Sequence, residues 1–149
     1  MPNLNGMISI INKAWNWKGF NATKIIRSNE FGNVIFKSDV NEYWRICPEE
    51  VYCERISKSD SEYDKISSDP KFIEDWEMID LVEIARAELG ELEENKKYCL
   101  KIPSIIGGEY NKTNFGIINF QELILFSGDL GFQIKDLKDG QKIKIEVKK

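Results

Sequence analysis

The most extended hydrophobic pattern in the chain follows the α-helical repeat and lies between residues 69 and 90. Apolar side chains recur there at helical spacing on one face, at Met78, Leu81, Val82, Ala85 and Leu89, and Phe72 and Trp76 extend that face upstream. Asp69 can cap the first turn, Pro70 is tolerated within it, and Gly90 is suited to end the helix. We therefore predict one long amphipathic helix from Asp69 to Gly90.

Two further helical patterns lie near the ends of the chain. The first can be capped by Asn3 or Asn5, and its apolar stripe is formed by Leu4, Met7, Ile8, Ile11, Ala14 and Trp15. The last starts from Asn119, with Glu122 placed for a capping box, and its stripe is formed by Leu123, Phe126, Leu130, Ile134 and Leu137. Gly128 and Gly131 each lower the stability of that helix by roughly 1 kcal/mol relative to alanine. They therefore predict close packing, or a kink at residues 127–129.

Between residues 23 and 57 the hydrophobic pattern changes to a period of two, which is typical of β-strands. Turn-forming residues divide this segment into four predicted strands, Thr23–Ser28, Gly32–Lys37, Glu42–Cys47 and Glu50–Ile56. Connections as short as these join antiparallel neighbours. We therefore predict an antiparallel meander.

The rest of the chain completes a predicted α+β fold. Two more strands are predicted, at Lys96–Pro103 and around Ile143, Ile145 and Val147. Ser57–Ser68 is a polar surface connector, and Ser104–Gly116 is a long loop with three glycines. The prediction is a single domain over residues 1–149, with a mainly antiparallel sheet of about six strands packed with three main helices.

Negative charge is concentrated on the long predicted helix and on the acidic segment after it. Nine Asp or Glu residues and one Arg fall between residues 74 and 94, a local balance of −8, whereas the whole chain carries −4. A pI near 5.1 argues against binding of nucleic acid or an anionic membrane through net charge. Two interpretations stay open: a solvated acidic face, or a surface that meets a basic partner in a fast, salt-sensitive association.

The sequence predicts neither a secretion signal nor a membrane span. The apolar run Met7–Ile11 is about one helical turn long and follows no basic residue. No run approaches the roughly 20 apolar residues of a membrane helix. Cys47, Cys53 and Cys99 lie in strand-like apolar segments, as buried reduced thiols do. We expect a cytoplasmic protein without disulfides.

The residue types in the chain argue against several kinds of active site. There is no histidine, which removes Ser-His and Cys-His pairs and the commonest metal ligand. The cysteines lack a CxxC spacing, and Gly107-Gly108 belongs to neither a GxGxxG nor a Walker motif. An enzyme that uses paired carboxylates remains as a weaker hypothesis, and it would depend on a divalent metal. We predict a protein that is not an enzyme and has no cofactor or metal site.

Seven short motifs, in order along the chain, resemble one known family. They are Phe31-Gly32-Asn33, Tyr43-Trp44-Arg45-Ile46-Cys47-Pro48-Glu49-Glu50, Asp75-Trp76-Glu77-Met78, Cys99-Leu100-Lys101-Ile102-Pro103, Gly107-Gly108-Glu109-Tyr110, Phe126-Ser127-Gly128-Asp129 and Gln133-Ile134-Lys135-Asp136-Leu137. With them the chain resembles the C-terminal domain of immunity proteins that protect bacteria from DNase effectors of type VI secretion. The similarity runs from Trp15 to Val147. Longer members carry a preceding GAD-like domain, which we do not expect in this chain.

The resemblance implies a cytoplasmic antitoxin, without catalysis or cofactor, that binds a cognate toxin and blocks its active site. We predict that the toxin is a nuclease, whose positive cleft would meet the acidic surface, and that the protein is a monomer or weak dimer. The predicted partner-binding residues are Asp75, Glu77, Asp80, Glu83, Glu109, Tyr110 and Asn114, with Tyr110 as the anchor. The alternative is a small-molecule or nucleotide-binding regulatory module built on the glycine-rich loop 104–116.

Overall fold

The computed structural model of the protein describes residues 4–136, and side chains from residue 6 onward. Five α-helices form within these residues: α1 (Leu4–Trp15), α2 (Asp60–Ser67), α3 (Pro70–Glu77), α4 (Ile79–Leu89) and α5 (Phe120–Ile134). Six strands form: β1 (Ala22–Ser28), β2 (Val34–Ser38), β3 (Tyr43–Cys47), β4 (Tyr52–Ser57), β5 (Lys96–Leu100) and β6 (Phe115–Asn119). The fold is α+β, as predicted.

The six described strands pair antiparallel in two sheets. The first is a meander in the order β1-β2-β3-β4, and the second is the pair β5-β6. The four predicted meander strands are confirmed, with ends displaced by at most two residues. The loop predicted to reach Gly116 ends earlier, because Phe115 opens β6 and pairs with Leu100 of β5. The strand predicted around residues 143–147, and Leu137, lie outside the described residues.

Helices α1 and α5 pack together and cover the meander. The buried apolar residues that they contribute to this core include Met7, Ile11, Trp15, Ile124 and Leu130. A Cβ atom on Gly128 would lie 2.3 Å from the carbonyl oxygen of Ala14, and one on Gly131 would lie 2.6 Å from the ring of Trp15. Contacts this short exclude any larger residue unless the helices move apart. The predicted close packing is confirmed, and α5 continues as one helix through residues 127–129.

The single helix predicted between residues 69 and 90 is wrong, because two helices form there. Met78, between α3 and α4, adopts the left-handed conformation with φ 49° and ψ 40°. Its amide N–H donates to the carbonyl of Glu74, which closes α3, and its own carbonyl accepts from Val82 N–H, which opens α4. A left-handed methionine is uncommon, and the helical spacing of the apolar residues did not indicate it.

The break redirects the apolar residues of the two helices into different cores. Val82 and Ala85 of α4 pack with Tyr98 and the rest of the core beneath β5 and β6. Trp76 of α3 packs instead in a cluster on the meander that includes Ile35, Tyr43 and Tyr63, with Phe72 at its edge. The prediction that Phe72 and Trp76 continue the face of Val82 is therefore wrong, since one left-handed residue rotates α3 away from the direction of α4.

The ends predicted for the segment from Asp69 to Gly90 are confirmed, whereas the capping box predicted at Asn119 does not form. The side chain of Asp69 accepts a hydrogen bond of 2.9 Å from Lys71 N–H, and Gly90 ends α4 with a φ of 88°. Asn119 occupies the N-cap of α5, although its side chain makes no capping bond to the backbone and lies 3.4 Å from Glu122. Within the part of the chain that the structure describes, no helix is both long enough and apolar enough to cross a membrane.

Candidate functional site

The nine acidic residues between residues 74 and 94 all have exposed side chains. They are Glu74, Asp75, Glu77, Asp80, Glu83, Glu88, Glu91, Glu93 and Glu94. Because α3 and α4 turn their apolar residues toward two cores, the carboxylates gather on the solvent side. Asp75 pairs with Arg45 and Glu91 pairs with Arg86. The acidic face predicted from the sequence is thus a surface of the folded protein.

A cleft of about 720 Å³ lies beside the junction of α3 and α4. One wall is the turn between β3 and β4, another is the helix junction, and Tyr110 of the long loop lies at the third side. The lining residues are Arg45, Glu49, Glu50, Lys71, Glu74, Asp75, Met78, Ile79, Asp80, Leu81 and Tyr110. With all groups ionised, five carboxylates and two cations give the cleft three negative charges in excess. It is the place where the acidic surface becomes concave.

The structure divides the predicted partner-binding residues into separate groups. Asp75, Asp80 and Tyr110 line the cleft together, although Tyr110 is distant in sequence from the two acids. Glu77 and Glu83 line a shallower depression of about 350 Å³ on the other side of the helix junction, next to Arg86. The four predicted helix acids therefore present two surfaces rather than one.

The two remaining predicted residues, Glu109 and Asn114, lie within the long loop and outside the cleft lining. The side-chain oxygen of Asn114 accepts a hydrogen bond from Ile102 N–H, and its amide group donates to the carbonyls of Ile102 and Glu109. A Cβ atom on Gly108 would lie 1.6 Å from the carbonyl oxygen of Ile102. Asn114 therefore stabilises the long loop through hydrogen bonds. Because Gly108 packs against the backbone just after β5, the loop does not resemble an open phosphate-binding site.

Beneath the cleft lies a network of buried polar side chains. Asn33 is fully buried, and Glu49 and Arg45 are 3% and 6% exposed. The amide nitrogen of Asn33 donates to both carboxylate oxygens of Glu49, at 2.7 and 2.9 Å. Its amide oxygen accepts from Nε and Nη2 of Arg45, at 3.1 and 3.0 Å. Asn33 thus bridges a buried carboxylate to a buried guanidinium, which satisfies groups that are destabilising when left unpaired.

Burial dominates the pKa shifts of Glu49 and of the neighbouring Cys47. It raises the pKa of Glu49 above its ordinary value, against the opposing effects of hydrogen bonds from Cys47 and Asn33 and of the charge on Arg45. Burial also raises the pKa of the Cys47 thiol, and the neighbouring Glu49 carboxylate adds to the shift. The thiol therefore stays protonated and donates to Glu49 Oε1 at 2.5 Å.

Arg45 connects the buried network to the acidic surface. Its Nη1 donates to Asp75 Oδ2 at 2.6 Å, and its guanidinium lies 5.1 Å from the ring centroid of Trp76. Its partner Asp75 is 68% exposed, so one end of the ion pair is inside the protein and the other is in solvent. Through these contacts strand β3 holds the last turn of α3 in place.

Arg45 and Glu49 are site residues that were not predicted from the sequence. Arg45 alternates with Trp44 and Ile46, so in a predicted strand it shares a face with Tyr43 and Cys47. All three of these side chains are buried. An arginine on a strand face of that kind needs a buried anion, and this signal could have been found in the sequence.

One group of potential metal ligands occurs among the described residues. Single donor atoms of Cys47, Glu49 and Glu50 lie within 4.8 Å of one another. The protonated thiol and the amide of Asn33 already satisfy the Glu49 carboxylate. The group is therefore accounted for as part of the hydrogen-bond network. All three cysteines are free, as predicted.

Comparison with known proteins gives one family. The family model described as "T6SS immunity protein Tdi1, C-terminal" matches residues 57–131, which is half of the chain. The matched segment contains both helices of the acidic surface, both strands of the second sheet and most of α5. It excludes Arg45, Glu49 and Glu50, so the cleft is built from matched and unmatched parts of the chain. No curated protein matches the sequence.

Proposed function

Because the chain belongs to the family of T6SS immunity proteins defined by the Tdi1 C-terminal domain, we propose that it binds a cognate toxin protein and blocks that toxin's active site. The observation that carries the proposal, beyond the family itself, is the concentration of nine exposed carboxylates on and after α3 and α4. Like charges crowded on adjacent helices repel one another and do not stabilise the fold. A basic partner would relieve that repulsion.

The proposed toxin is a nuclease. A protein that binds or cleaves nucleic acid needs a positive site for the phosphates. An acidic surface can occupy such a site in place of the phosphate backbone, and charge complementarity accelerates the association and excludes wrong partners. The proposed contact residues are Asp75, Glu77, Asp80, Glu83, Glu109, Tyr110 and Asn114.

The proposed role is inhibition by occlusion, without catalysis. The chain contains no histidine. The buried thiol of Cys47 is protonated and hydrogen-bonded, which is unfavourable for a nucleophile. The exposed acids remain available for contact with basic side chains of the partner.

The proposal is tested by co-expression with the product of the adjacent upstream gene, scoring host survival and co-purification. We expect rescue of a toxic neighbour and a stable complex whose affinity falls as salt rises. The double charge reversal D80K/E83K should abolish rescue. The matched control E62K/D64K makes the same charge change on exposed residues of α2 and should preserve rescue. A toxic neighbour that is neither bound nor neutralised would overturn the proposal.

A further inference from the structure

The cleft beside the α3–α4 junction contains charges of two kinds. Glu49 and Asp75 are both engaged by the protein itself, Glu49 by Asn33 and Asp75 by Arg45. The other three carboxylates of the cleft, Glu50, Glu74 and Asp80, are exposed, although Glu50 Oε2 also lies 3.7 Å from the thiol of Cys47. Among the described residues, no basic side chain lies within ion-pairing distance of these three.

These three carboxylates come from separate parts of the chain. Glu50 lies on the turn after β3, Glu74 in the last turn of α3, and Asp80 in the first turn of α4. The left-handed Met78 separates the two helices and so sets the positions of Glu74 and Asp80 relative to each other. In the continuous helix that the sequence predicted, six residues would have rotated the two carboxylates apart around the axis. The concave arrangement is therefore a product of the helix break.

The cleft also has an apolar side. Ile79 is 55% exposed and Tyr110 is 38% exposed, and both line it. A cation that enters between carboxylates and an aromatic ring gains both ion pairing and contact with the ring face. Of the two basic side chains, arginine suits such a site better, because its planar guanidinium forms several directed hydrogen bonds while stacking on a ring.

The protein already binds one guanidinium in this manner. Arg45 donates to Asp75 at 2.6 Å while lying 5.1 Å from the ring centroid of Trp76, at the floor of the same cleft. We propose that a second guanidinium, from an arginine of the toxin, enters above it and binds Glu50, Glu74 and Asp80 beside the ring of Tyr110. The inference rests on the proposed function and specifies the chemistry of the contact.

The test measures the dissociation constant of the toxin complex for the wild type and the variants E50Q, E74Q and D80N. The substituted side chains are exposed, so each variant should keep the melting temperature of the wild type. We expect each substitution to weaken binding about tenfold or more, as for loss of a hydrogen bond to a charged group. The matched control E88Q removes an exposed carboxylate of α4 that lies outside the cleft and outside the proposed contact residues. It should change the dissociation constant less than threefold.

The arginine is identified by replacing the arginines of the toxin with lysine, one at a time. One replacement should weaken binding to the wild type and have little further effect on binding to D80N, since both changes remove the same contact. A stable complex in which E50Q, E74Q and D80N all bind like E88Q would overturn the inference and leave the proposed function intact. If D80N instead shows this non-additivity with substitution of a toxin lysine, and with none of the arginine replacements, the assignment to arginine is wrong.

Discussion

The exposed acidic surface and the buried network beneath the cleft use charge in opposite ways. Nine carboxylates on and after α3 and α4 are in contact with water, where each interaction between charges is weak and screened by salt. Asn33, Arg45 and Glu49 are removed from water, and each has its hydrogen-bonding groups directed at another member. Removing one residue of the buried network leaves another buried group with neither a hydrogen-bond partner nor water. Removing a surface carboxylate leaves its neighbours hydrated by solvent.

The comparison teaches that formal charge alone does not locate a binding site. Arg45 and Glu49 line the cleft but are bound within the fold, and the exposed acids around them are the proposed contacts. Asp75 belongs to both regions, because it is exposed and yet bound to Arg45. Substitutions in the buried network should therefore mainly lower the stability of the fold. Substitutions on the acidic surface should mainly weaken binding.

The largest effect is expected for R45M, which removes the cation of the buried network. Asn33 would lose its hydrogen-bond partner and Glu49 the nearby positive charge, both without access to water, so we expect the free energy of unfolding to fall by about 3–5 kcal/mol. Urea denaturation measures this change. The matched control R55M breaks the exposed ion pair with Glu42 on the same sheet and should lower stability by at most about 1 kcal/mol. Equal losses in both variants would remove the distinction between buried and exposed charge.

A second prediction concerns the pH dependence of stability and compares wild type with E49Q. Burial raises the pKa of Glu49 in the folded protein, so folding favours the protonated carboxyl. The stabilisation of wild type relative to E49Q is then complete below the ordinary value of 4.5 and is lost as pH rises through the raised pKa. Urea titrations between about pH 4 and pH 8 measure the difference. A difference that grows as pH rises would show that Arg45, rather than burial, controls this carboxyl.

The third prediction concerns D75N, which cuts the link between the two regions. Since Asp75 is mostly exposed and Arg45 keeps its bonds to Asn33, we expect a loss of only about 0.5–1 kcal/mol in unfolding free energy. The control E74Q changes the neighbouring exposed acid and should alter stability by less than about 0.5 kcal/mol. A loss as large as that of R45M would show that Asp75 contributes as much to the free energy of unfolding as the buried residues do.

The smallest effect is expected from salt acting on the acidic surface. Raising the ionic strength from about 0.01 M to about 0.1 M shortens the screening length from about 30 Å to about 10 Å, which weakens repulsion among the carboxylates. The free energy of unfolding should rise by a few tenths of a kcal/mol, and thermal melts in both buffers measure it. The variant D80N/E83Q carries fewer like charges and should gain less. An unchanged melting temperature in the wild type would argue against repulsion on this surface.

Local signals in the sequence were sufficient for much of the fold. Period-two alternation located the meander strands to within two residues, and the short turns between them gave their antiparallel order. Asp69 and Gly90 marked the ends of the acidic helical segment because capping depends on residues that are adjacent in sequence. Gly128 and Gly131 indicated close packing because glycine within a helix needs a compensating reason.

Features that depend on distant partners could not be predicted in this way. The left-handed conformation of Met78 is held by two helices packing into different cores, and no residue beside it forces the break. β6 contains Gly116, a weak strand former, and exists because β5 supplies its hydrogen bonds. The same holds for the site. Asp80 and Tyr110 were predicted as contacts, but that both line one cleft with Glu50 depends on three chain segments meeting.

By itself, the sequence determined the meander strands, β5 and the helices α1 and α5, that the acids lie on an exposed helical segment, and, through its seven motifs, the family resemblance. These properties follow from the spacing and type of neighbouring residues. The tertiary structure alone decided where the acidic helix breaks, which carboxylates share a cleft, and which charges are withdrawn into the network of Asn33, Arg45 and Glu49. The physical reason is that desolvation and ion pairing are set by neighbours in space, and those neighbours are distant along the chain.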